Sequence, residues 1–334
     1  MARMGARPPL KQVLDDTEAM GEEPQNEGQP PDLGISDFDT LFAEAAAKND
    51  YLPLAHAVFR QAAKAVTVCS AAFVGTNPTQ MNLARDQAIC AGLLVRCVKF
   101  MRAVATLSSD RSSGEVTLAL NRCILDGATS VLYLIKKDDP RTYDRFLLHS
   151  LAPERELHDL ILENIRRRGS ELPIERRMLN SITRMCRTSG LDIGNVPSKV
   201  GPWDGGMRQR LDFIGLQDSY PMFQGLPSAA IHGTWSDLLH HHVRPVDGGF
   251  AVRFETSPVD VRVFGAAALI LLEAAKAYMS HYFREQPESE SFVGALTELQ
   301  GYVRRVDEAH EEWLQTKRSA KPPDGTSAEE GGVV

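Results

Sequence analysis

The chain has 334 residues, of which 43% are hydrophobic and 24% are charged, a composition typical of globular proteins with one or two domains. Its formal net charge of −7, from 37 basic and 44 acidic residues, argues against a protein that coats nucleic acid by bulk charge alone. Residues 1–36 hold three basic and seven acidic groups, so the rest of the chain is near charge balance and leaves room for a local basic patch.

The two ends have the composition of disordered segments. Residues 1–36 are rich in Glu, Gln, Pro and Gly, and residues 318–334 are similar. Such segments bury too little apolar surface to offset the entropy lost on ordering. We therefore predict a single helical domain over residues 37–317, flanked by two disordered segments.

Three features of the sequence indicate a cytoplasmic protein that contacts no membrane. The N-terminus lacks the apolar stretch of a signal peptide. The longest apolar run, residues 264–272, is too short to span a bilayer. None of the five cysteines forms a C-x-x-C pair, which favours buried free thiols in a reducing compartment.

Apolar residues recur at helical spacing through most of the predicted domain. In chain order, the predicted helices cover residues 38–48, 54–73, 80–107, 115–136, 141–168, 173–188, 207–213 and 221–231, a turn or two from Trp235, and residues 258–283 and 291–317. We expect a break near Pro153. Ser257 and Pro258, with Asp260 in the first turn, predict the start of the tenth helix.

One stretch departs from the helical pattern. The sequence VRPVDGGFAVRF, residues 243–254, alternates apolar and polar residues around Asp247-Gly248-Gly249 and predicts a small β-hairpin. Two strands alone are marginally stable, so the hairpin should lie against the helices. The predicted fold class is therefore all-α, a multi-helix array or bundle with one small β-hairpin insertion.

The predicted helix 115–136 carries a polar stripe. Arg122, Asp126, Thr129 and Tyr133 are spaced by four, three and four residues, which places them on one helix face. Arg122 and Asp126 can form an ion pair at this spacing. The stripe is either structural, as an ion pair that fixes helix packing or a face in contact with solvent, or the floor of a polar pocket. The spacing alone favours the structural interpretation.

Glu273 is a second carboxylate among apolar neighbours. If it faces the interior it needs a partner, because a lone buried charge is costly, and Arg122 or His232 would serve. Otherwise Glu273 marks the solvent face of an amphipathic helix.

Four of the nine histidines lie in the stretch SAAIHGTWSDLLHHH. His232 is predicted at a helix C-terminus, where the helix dipole favours the charged imidazolium. Asp237 is spaced to meet His240 or His241, which is workable geometry for a metal ligand set. Three adjacent histidines cannot all point at one ion from a helix. A helix end with solvated histidines is therefore favoured over a metal site, and the sequence alone does not decide between the two.

Arginines are concentrated between residues 166 and 210. They could form a basic face for phosphate groups, but the glutamates among them favour an ordinary solvated surface. Their positions are Arg166, Arg167, Arg168, Arg176, Arg177, Arg184, Arg187, Arg208 and Arg210.

Two pieces of the sequence together resemble a known family. One is the predicted helix LALNRCILDGATSVLYLI, and the other is YPMFQGLPSAAIHGTW, with Tyr220 followed by a Ser-x-x-x-His-Gly step at Ser228 and His232. They resemble the bacterial family of domains of unknown function numbered 5677, and the resemblance covers roughly residues 50–285. By position it points to Arg122, Asp126, Tyr220, Ser228 and His232. The family usually has Glu where this chain has Asp126, a side chain with a shorter reach.

The resemblance implies an all-helical fold similar to the HEPN nucleotide-binding helical domains, many of which are ribonucleases of toxin or defence systems. Their catalytic signature is an Arg four to six residues before a His. No Arg precedes His232 at that spacing. Arg304 and Arg305 precede His310, but on a charged late helix and without the polar residue of the signature, so we do not base a nuclease on them.

We predict a polar pocket in which His232 acts as general acid or base, Asp126 or Glu273 orients it, and Arg122 holds an anionic group. The predicted ligand-binding residues are Tyr220, Ser228 and Glu273.

The predicted function is binding of RNA or a nucleotide in a defence or stress role, without a cofactor, and cleavage is left open. One alternative is a non-enzymatic helical interaction module with a structural polar network, for which a homodimer is one open arrangement. The other alternative is a metal-dependent helical hydrolase. The sequence does not decide whether the protein is an enzyme.

Overall fold

A computed structural model describes residues 35, 37–72, 82–109, 113–256 and 259–319. These residues form eleven α-helices and one two-stranded hairpin, which confirms the predicted all-α fold with one small hairpin. The predicted disordered ends, 1–36 and 318–334, lie outside the described residues except for Ile35, Arg318 and Ser319.

The helices are numbered in chain order. They are α1 (Phe38–Lys48), α2 (Leu52–Ala71), α3 (Arg85–Leu107), α4 (Gly114–Lys137), α5 (Pro140–Arg168), α6 (Pro173–Thr188), α7 (Met207–Ile214), α8 (Leu226–His232), α9 (Trp235–His241), α10 (Val261–Tyr282) and α11 (Glu288–Ser319). Short 3₁₀ turns cover Ile193–Asn195 and Gln217–Ser219, and a π-helical turn covers Pro221–Gly225.

One detail of the helix prediction, the break near Pro153, is wrong. Helix α5 runs through Pro153 without a break. Proline has no backbone N–H, so the carbonyl one helical turn before Pro153 lacks its usual donor. Pro153 is exposed, and water can donate to that carbonyl instead. Helix α10 begins at Val261, with the side chain of Asp260 as its cap accepting from the backbone N–H of Arg262. The predicted start at Ser257 and Pro258 lies outside the described residues.

The main hydrophobic core forms where α10 packs against α2, α3, α4 and α11. Because α10 has neighbours on several sides, it is apolar around most of its circumference. The largest fully buried side chains in this core include Phe59, Leu94, Phe264, Leu271, Tyr278 and Leu299.

Helices α4 and α10 are long and apolar enough to cross a membrane by length and composition. In each, 61% of the apolar window is buried inside the protein. Core helices of globular domains pass the same test, and both helices belong to the main core.

A second, smaller core lies between α5, α6 and the 3₁₀ turn at 193–195. Its buried residues are Leu151, Ile161, Ile182, Cys186 and Val196. These two helices therefore pair through a core of their own.

The predicted hairpin is confirmed, with β1 (Val243–Val246) antiparallel to β2 (Gly249–Val252). Its two-residue turn contains Gly248 at φ 81°, a conformation that suits glycine. The hairpin contacts α9, where the Trp235 and Phe250 rings meet edge to face with centroids 5.2 Å apart.

Candidate functional site

The polar stripe on α4 faces the segment that runs from residue 203 to residue 228. At its C-terminal end the contact is aromatic, because the Tyr133 ring meets Trp203 and Phe213 edge to face at 5.4 and 5.2 Å. One turn earlier, Thr129 Oγ1 lies 3.8 Å from Met207 Sδ on α7. The four polar residues therefore share one face of α4, as predicted, and this face is the surface on which residues 203–228 pack.

Arg210 on α7 is the centre of a charged network. Its side chain is only 5% exposed, and its Nη2 donates to Asp126 Oδ1 at 2.5 Å. Nη1 donates to Ser130 Oγ, and Nε lies 3.1 Å from Asp204 Oδ2. Asp204 is equally buried and also accepts from the backbone N–H of Gly206 at 2.8 Å. Two carboxylates thus compensate one buried guanidinium, as a buried charge requires.

The glycine-rich turn before α7 brings Asp204 and Arg210 together. Gly206 has φ 99°, a backbone conformation that side chains disfavour, and the chain turns there directly into α7. Arg210 then lies on the face of α7 that is directed towards α4. Sequence reasoning assigned Arg210 to a surface cluster of arginines, since no motif marks its partners.

The predicted ion pair between Arg122 and Asp126 is wrong. Asp126 accepts from Arg210, which lies 84 positions later in the chain. Arg122 donates through Nη1 to Ser228 Oγ on α8, 106 positions later. Each of the two side chains is bound to a residue of the segment that packs on α4, and not to the other.

Arg122 and Ser228 are the two predicted site residues that the structure brings into direct contact. Both side chains are half-buried. In the described part of the chain, no carboxylate forms an ion pair with Arg122. Its charge is therefore met by a neutral hydroxyl, whereas the nearby Arg210 is met by two acids.

His232 lies at the C-terminal end of α8, as predicted, and Gly233 follows it at φ 58°. The imidazole is exposed, one helical turn beyond Ser228. The described residues offer it no hydrogen bond or ion pair. Asp126 and Glu273, the two carboxylates predicted to orient His232, instead hold other partners.

Tyr220 lies just before the π-helical turn, with its ring partly buried. The Arg208 guanidinium carbon stands 4.4 Å from the centroid of this ring, a cation–π contact. Arg208 is exposed and has no ion pair with a carboxylate among the described residues.

Glu273 lies in a different place from Arg122 and His232, its predicted partners. Its Oε2 accepts from Lys276 Nζ at 2.9 Å and from Gln300 Nε2 at 3.1 Å. Partial burial opposes ionisation, but these two donors hold the pKa of Glu273 below its usual value. The carboxylate lines an open cleft of about 910 Å³ between α4, α10 and residues 214–223.

The histidine-rich end of α9 does not gather around one point. The ion pair that the structure shows for Asp237 is with His242, at 3.7 Å, while the Asp237 charge also acts on the pKa of His241, one of its two predicted partners. His242 follows the last helical residue, so its ring turns back towards Asp237. Adjacent rings in the trio stand 6.1 Å apart. Over the described residues, no group of three or more His, Cys, Asp or Glu side chains is placed to hold a metal ion.

Arg304, Arg305 and His310 all lie on α11, but their surroundings differ. Arg305 pairs with Asp39 at 2.9 Å and stacks on the Phe38 ring at 4.8 Å. His310 is buried with Nδ1 unpaired among the described residues, and burial lowers its pKa. Arg304 lies instead at the open cleft that contains Glu273.

Residues 87–250 match the model of a family of unknown function (DUF5677). The resemblance inferred from two short motifs is thereby confirmed, over a shorter span than the predicted 50–285. The matched segment contains Arg122, Asp126, Tyr220, Ser228 and His232, together with Asp204 and Arg210. No curated protein and no solved structure matches the chain.

Proposed function

We propose that this protein, whose residues 87–250 match the DUF5677 model, binds a phosphate-bearing ligand, RNA or a nucleotide, where Arg122 on α4 meets Ser228 on α8. The observation that carries the proposal is the half-buried Arg122 guanidinium, which has a hydroxyl partner and no carboxylate among the described residues. Two of the residues that the family motifs identified are thus in contact.

A guanidinium has five N–H donors, and the contact with Ser228 uses one nitrogen. The remaining donors suit bidentate binding of a phosphate oxygen pair. Partial burial of Arg122 reduces solvent screening of its charge, so an anion there gains more than at a fully exposed lysine.

Arg208 and Tyr220 supply the chemistry for the rest of a nucleotide. An exposed guanidinium on a partly buried aromatic ring combines a cation for phosphate with planar surfaces on which bases stack. Both residues belong to the segment that packs on α4, the helix that carries Arg122.

The proposal concerns binding. Cleavage requires a general acid or base held in position, and His232 has no orienting partner among the described residues. The family resemblance supports a HEPN-like role in a bacterial defence or stress response. The five free cysteines, four of them buried, suit the reducing cytoplasm.

The test is fluorescence anisotropy of a labelled RNA oligonucleotide, with ATP and GTP as competitors, at two salt concentrations. Arg122→Gln should raise the Kd by about 10-fold or more, because a charge-assisted hydrogen bond contributes roughly 1.5–3 kcal/mol. The control is Arg184→Gln, the same charge change at an exposed site on α6. Binding that is equal in the two variants, or absent from the wild-type protein, would overturn the proposal.

A second candidate function, self-association through the hairpin, rests on its exposed apolar face. The strand register places Val243, Pro245, Phe250 and Val252 on one side of the hairpin. Phe250 is 58% exposed, and Phe254, just beyond β2, is 89% exposed. Monomeric proteins rarely expose large contiguous apolar patches without a function.

A second copy of the chain is the occupant that fits this face. With Trp235 at 55% exposure, the three aromatic rings leave about 400 Å² uncovered if each ring can bury about 200 Å². Pairing two such faces would bury about 800 Å², which approaches the roughly 1,000 Å² that a specific interface needs. A two-fold axis would let the same patch serve both chains.

Sedimentation velocity across a range of protein concentrations tests this candidate. The wild type should be a dimer that Phe254→Ser converts to a monomer. Leu160→Ser, at an exposed leucine on α5, should leave the dimer intact. A wild type that is monomeric at about 100 µM would rule the candidate out.

A further inference from the structure

The open cleft that contains Glu273 has the size and lining of a ligand site. Its volume, about 910 Å³, falls in the roughly 300–1,000 Å³ range of small-molecule sites. Its walls are mainly aliphatic and come from α4, α10 and the chain between α7 and α8. They include Leu132, Ile135, Ile214, Leu216, Leu269 and Ile270.

The π-helical turn at Pro221–Gly225 forms one edge of this cleft. It contributes Phe223, which is buried, and Met222, which is exposed. Methionine is flexible and polarisable, so it adapts to apolar ligands of varied shape. Single π-helical turns are also frequent at functional sites.

The charged groups at the cleft give it a positive balance. Glu273 is the one acidic residue among the described lining residues, and that carboxylate already accepts hydrogen bonds from Lys276 and Gln300. The lining cations are Lys136 and Arg304. Arg304 stands close enough to Glu273 to help keep it ionised. Lys136 donates to the backbone carbonyl of Phe213 at 2.8 Å and lies 5.4 Å from the centroid of the Phe213 ring.

His281 also lines the cleft but faces a carboxylate of its own. Its Nε2 lies 3.5 Å from Asp138 Oδ1. Lys136 is therefore the lining cation whose charge has no carboxylate partner among the described residues.

We propose that the cleft binds an apolar chain that ends in an anionic group, with the chain against the aliphatic walls and the anion at Lys136. A saturated chain fits walls that are mainly aliphatic, and burial of each CH₂ group is favourable. Attraction to the Lys136 ammonium then sets the direction in which the chain enters. This site is separate from the one around Arg122.

Isothermal titration calorimetry with four probes that share a twelve-carbon chain tests the proposal. Laurate and dodecyl phosphate should bind, and the tighter of the two identifies the head group. Dodecanol should bind at least about tenfold more weakly, and dodecylammonium should be weaker still, because the cleft is positively charged. Equal affinities for the anionic and cationic probes would overturn the proposal.

Variants of neighbouring residues locate the site. Lys136→Gln should weaken laurate binding about tenfold, while Lys137→Gln, the same change one residue later on α4, should leave it unchanged. Ala277→Trp, which fills the cleft from α10, should abolish binding with a native circular dichroism spectrum. If Lys136→Gln and Ala277→Trp, both folded, bind laurate like the wild type, the inference is wrong. Arg122→Gln should bind laurate normally, which separates this result from the nucleotide proposal.

Discussion

Arg122 lies on α4, and Arg210 of α7 pairs with Asp126 one helical turn further along the same face, yet the surroundings of the two arginines differ. Arg210 is almost fully buried, and its charge is shared between Asp126 and Asp204. Arg122 is half-buried, and its contact is the hydroxyl of Ser228. Burial alone does not separate a structural charge from a binding charge, but compensation does. An arginine that is paired with carboxylates has little attraction left for an anionic ligand. An arginine without a carboxylate partner can still attract one.

The largest expected effect on stability comes from Arg210, the arginine that is paired with two carboxylates. Arg210→Met should destabilise the protein by roughly 3–5 kcal/mol, because it leaves Asp204 buried without its cation. Urea unfolding followed by circular dichroism measures the loss. Arg208→Met, two residues away and exposed, is the control and should cost less than about 1 kcal/mol. A loss for Arg210→Met as small as that of the control would mean that the network contributes little.

Asp307 on α11 extends the comparison to a partly buried carboxyl that has no ion pair with a cation among the described residues. Burial, assisted by repulsion from Asp260 and Glu308, raises the pKa of Asp307 to about 7. The folded protein therefore binds this proton more tightly than the unfolded chain does. Stability should then fall as the pH rises from about 4 to about 7.

The matching substitution is Asp307→Asn, which keeps the shape and removes the charge. The wild type should lose roughly 2–4 kcal/mol of unfolding free energy between about pH 5 and about pH 8 through this group. The variant should lose most of that pH dependence, while Glu312→Gln, an exposed position on the same helix, should not. The same pH profile for Asp307→Asn and the wild type would show that another group is responsible.

Asp126 should matter less than Arg210, although the two are directly paired. Its side chain is 51% exposed, so water can replace the ion pair when the carboxylate is lost. Asp126→Asn should cost about 1 kcal/mol or less in thermal or urea unfolding. A cost near that of Arg210→Met would mean that Asp126, and not the more buried Asp204, is the main counter-charge.

Arg122 should give the smallest effect on stability. Arg122→Gln removes one hydrogen bond at a half-buried site and leaves no buried acid unpaired, so the expected change is about 0.5 kcal/mol or less. Loss of ligand binding with an unchanged melting temperature would support a binding role for Arg122 and a structural role for Arg210. A loss of several kcal/mol would place Arg122 with Arg210 among the structural groups.

The stripe on α4 shows how far sequence reasoning extends. Helical spacing placed Arg122, Asp126, Thr129 and Tyr133 on one face, because helix geometry is local. The same spacing predicted the wrong partner for Arg122, because Ser228 lies 106 positions away and is preferred through packing. Arg210 was overlooked for the same reason, since nothing near it in the chain signals Asp126 or Asp204.

The sequence by itself determined the all-α class, the position of the hairpin, the similarity to a family of unknown function and the polar face of α4. Each of these follows from periodicity, turn residues or a short motif, which are local properties of the chain. Only the tertiary structure decided which arginine is neutralised, that Glu273 lines a separate cleft, and that the hairpin leaves Phe250 and Phe254 exposed. Burial and charge pairing depend on groups far apart in sequence, and packing alone brings those groups together.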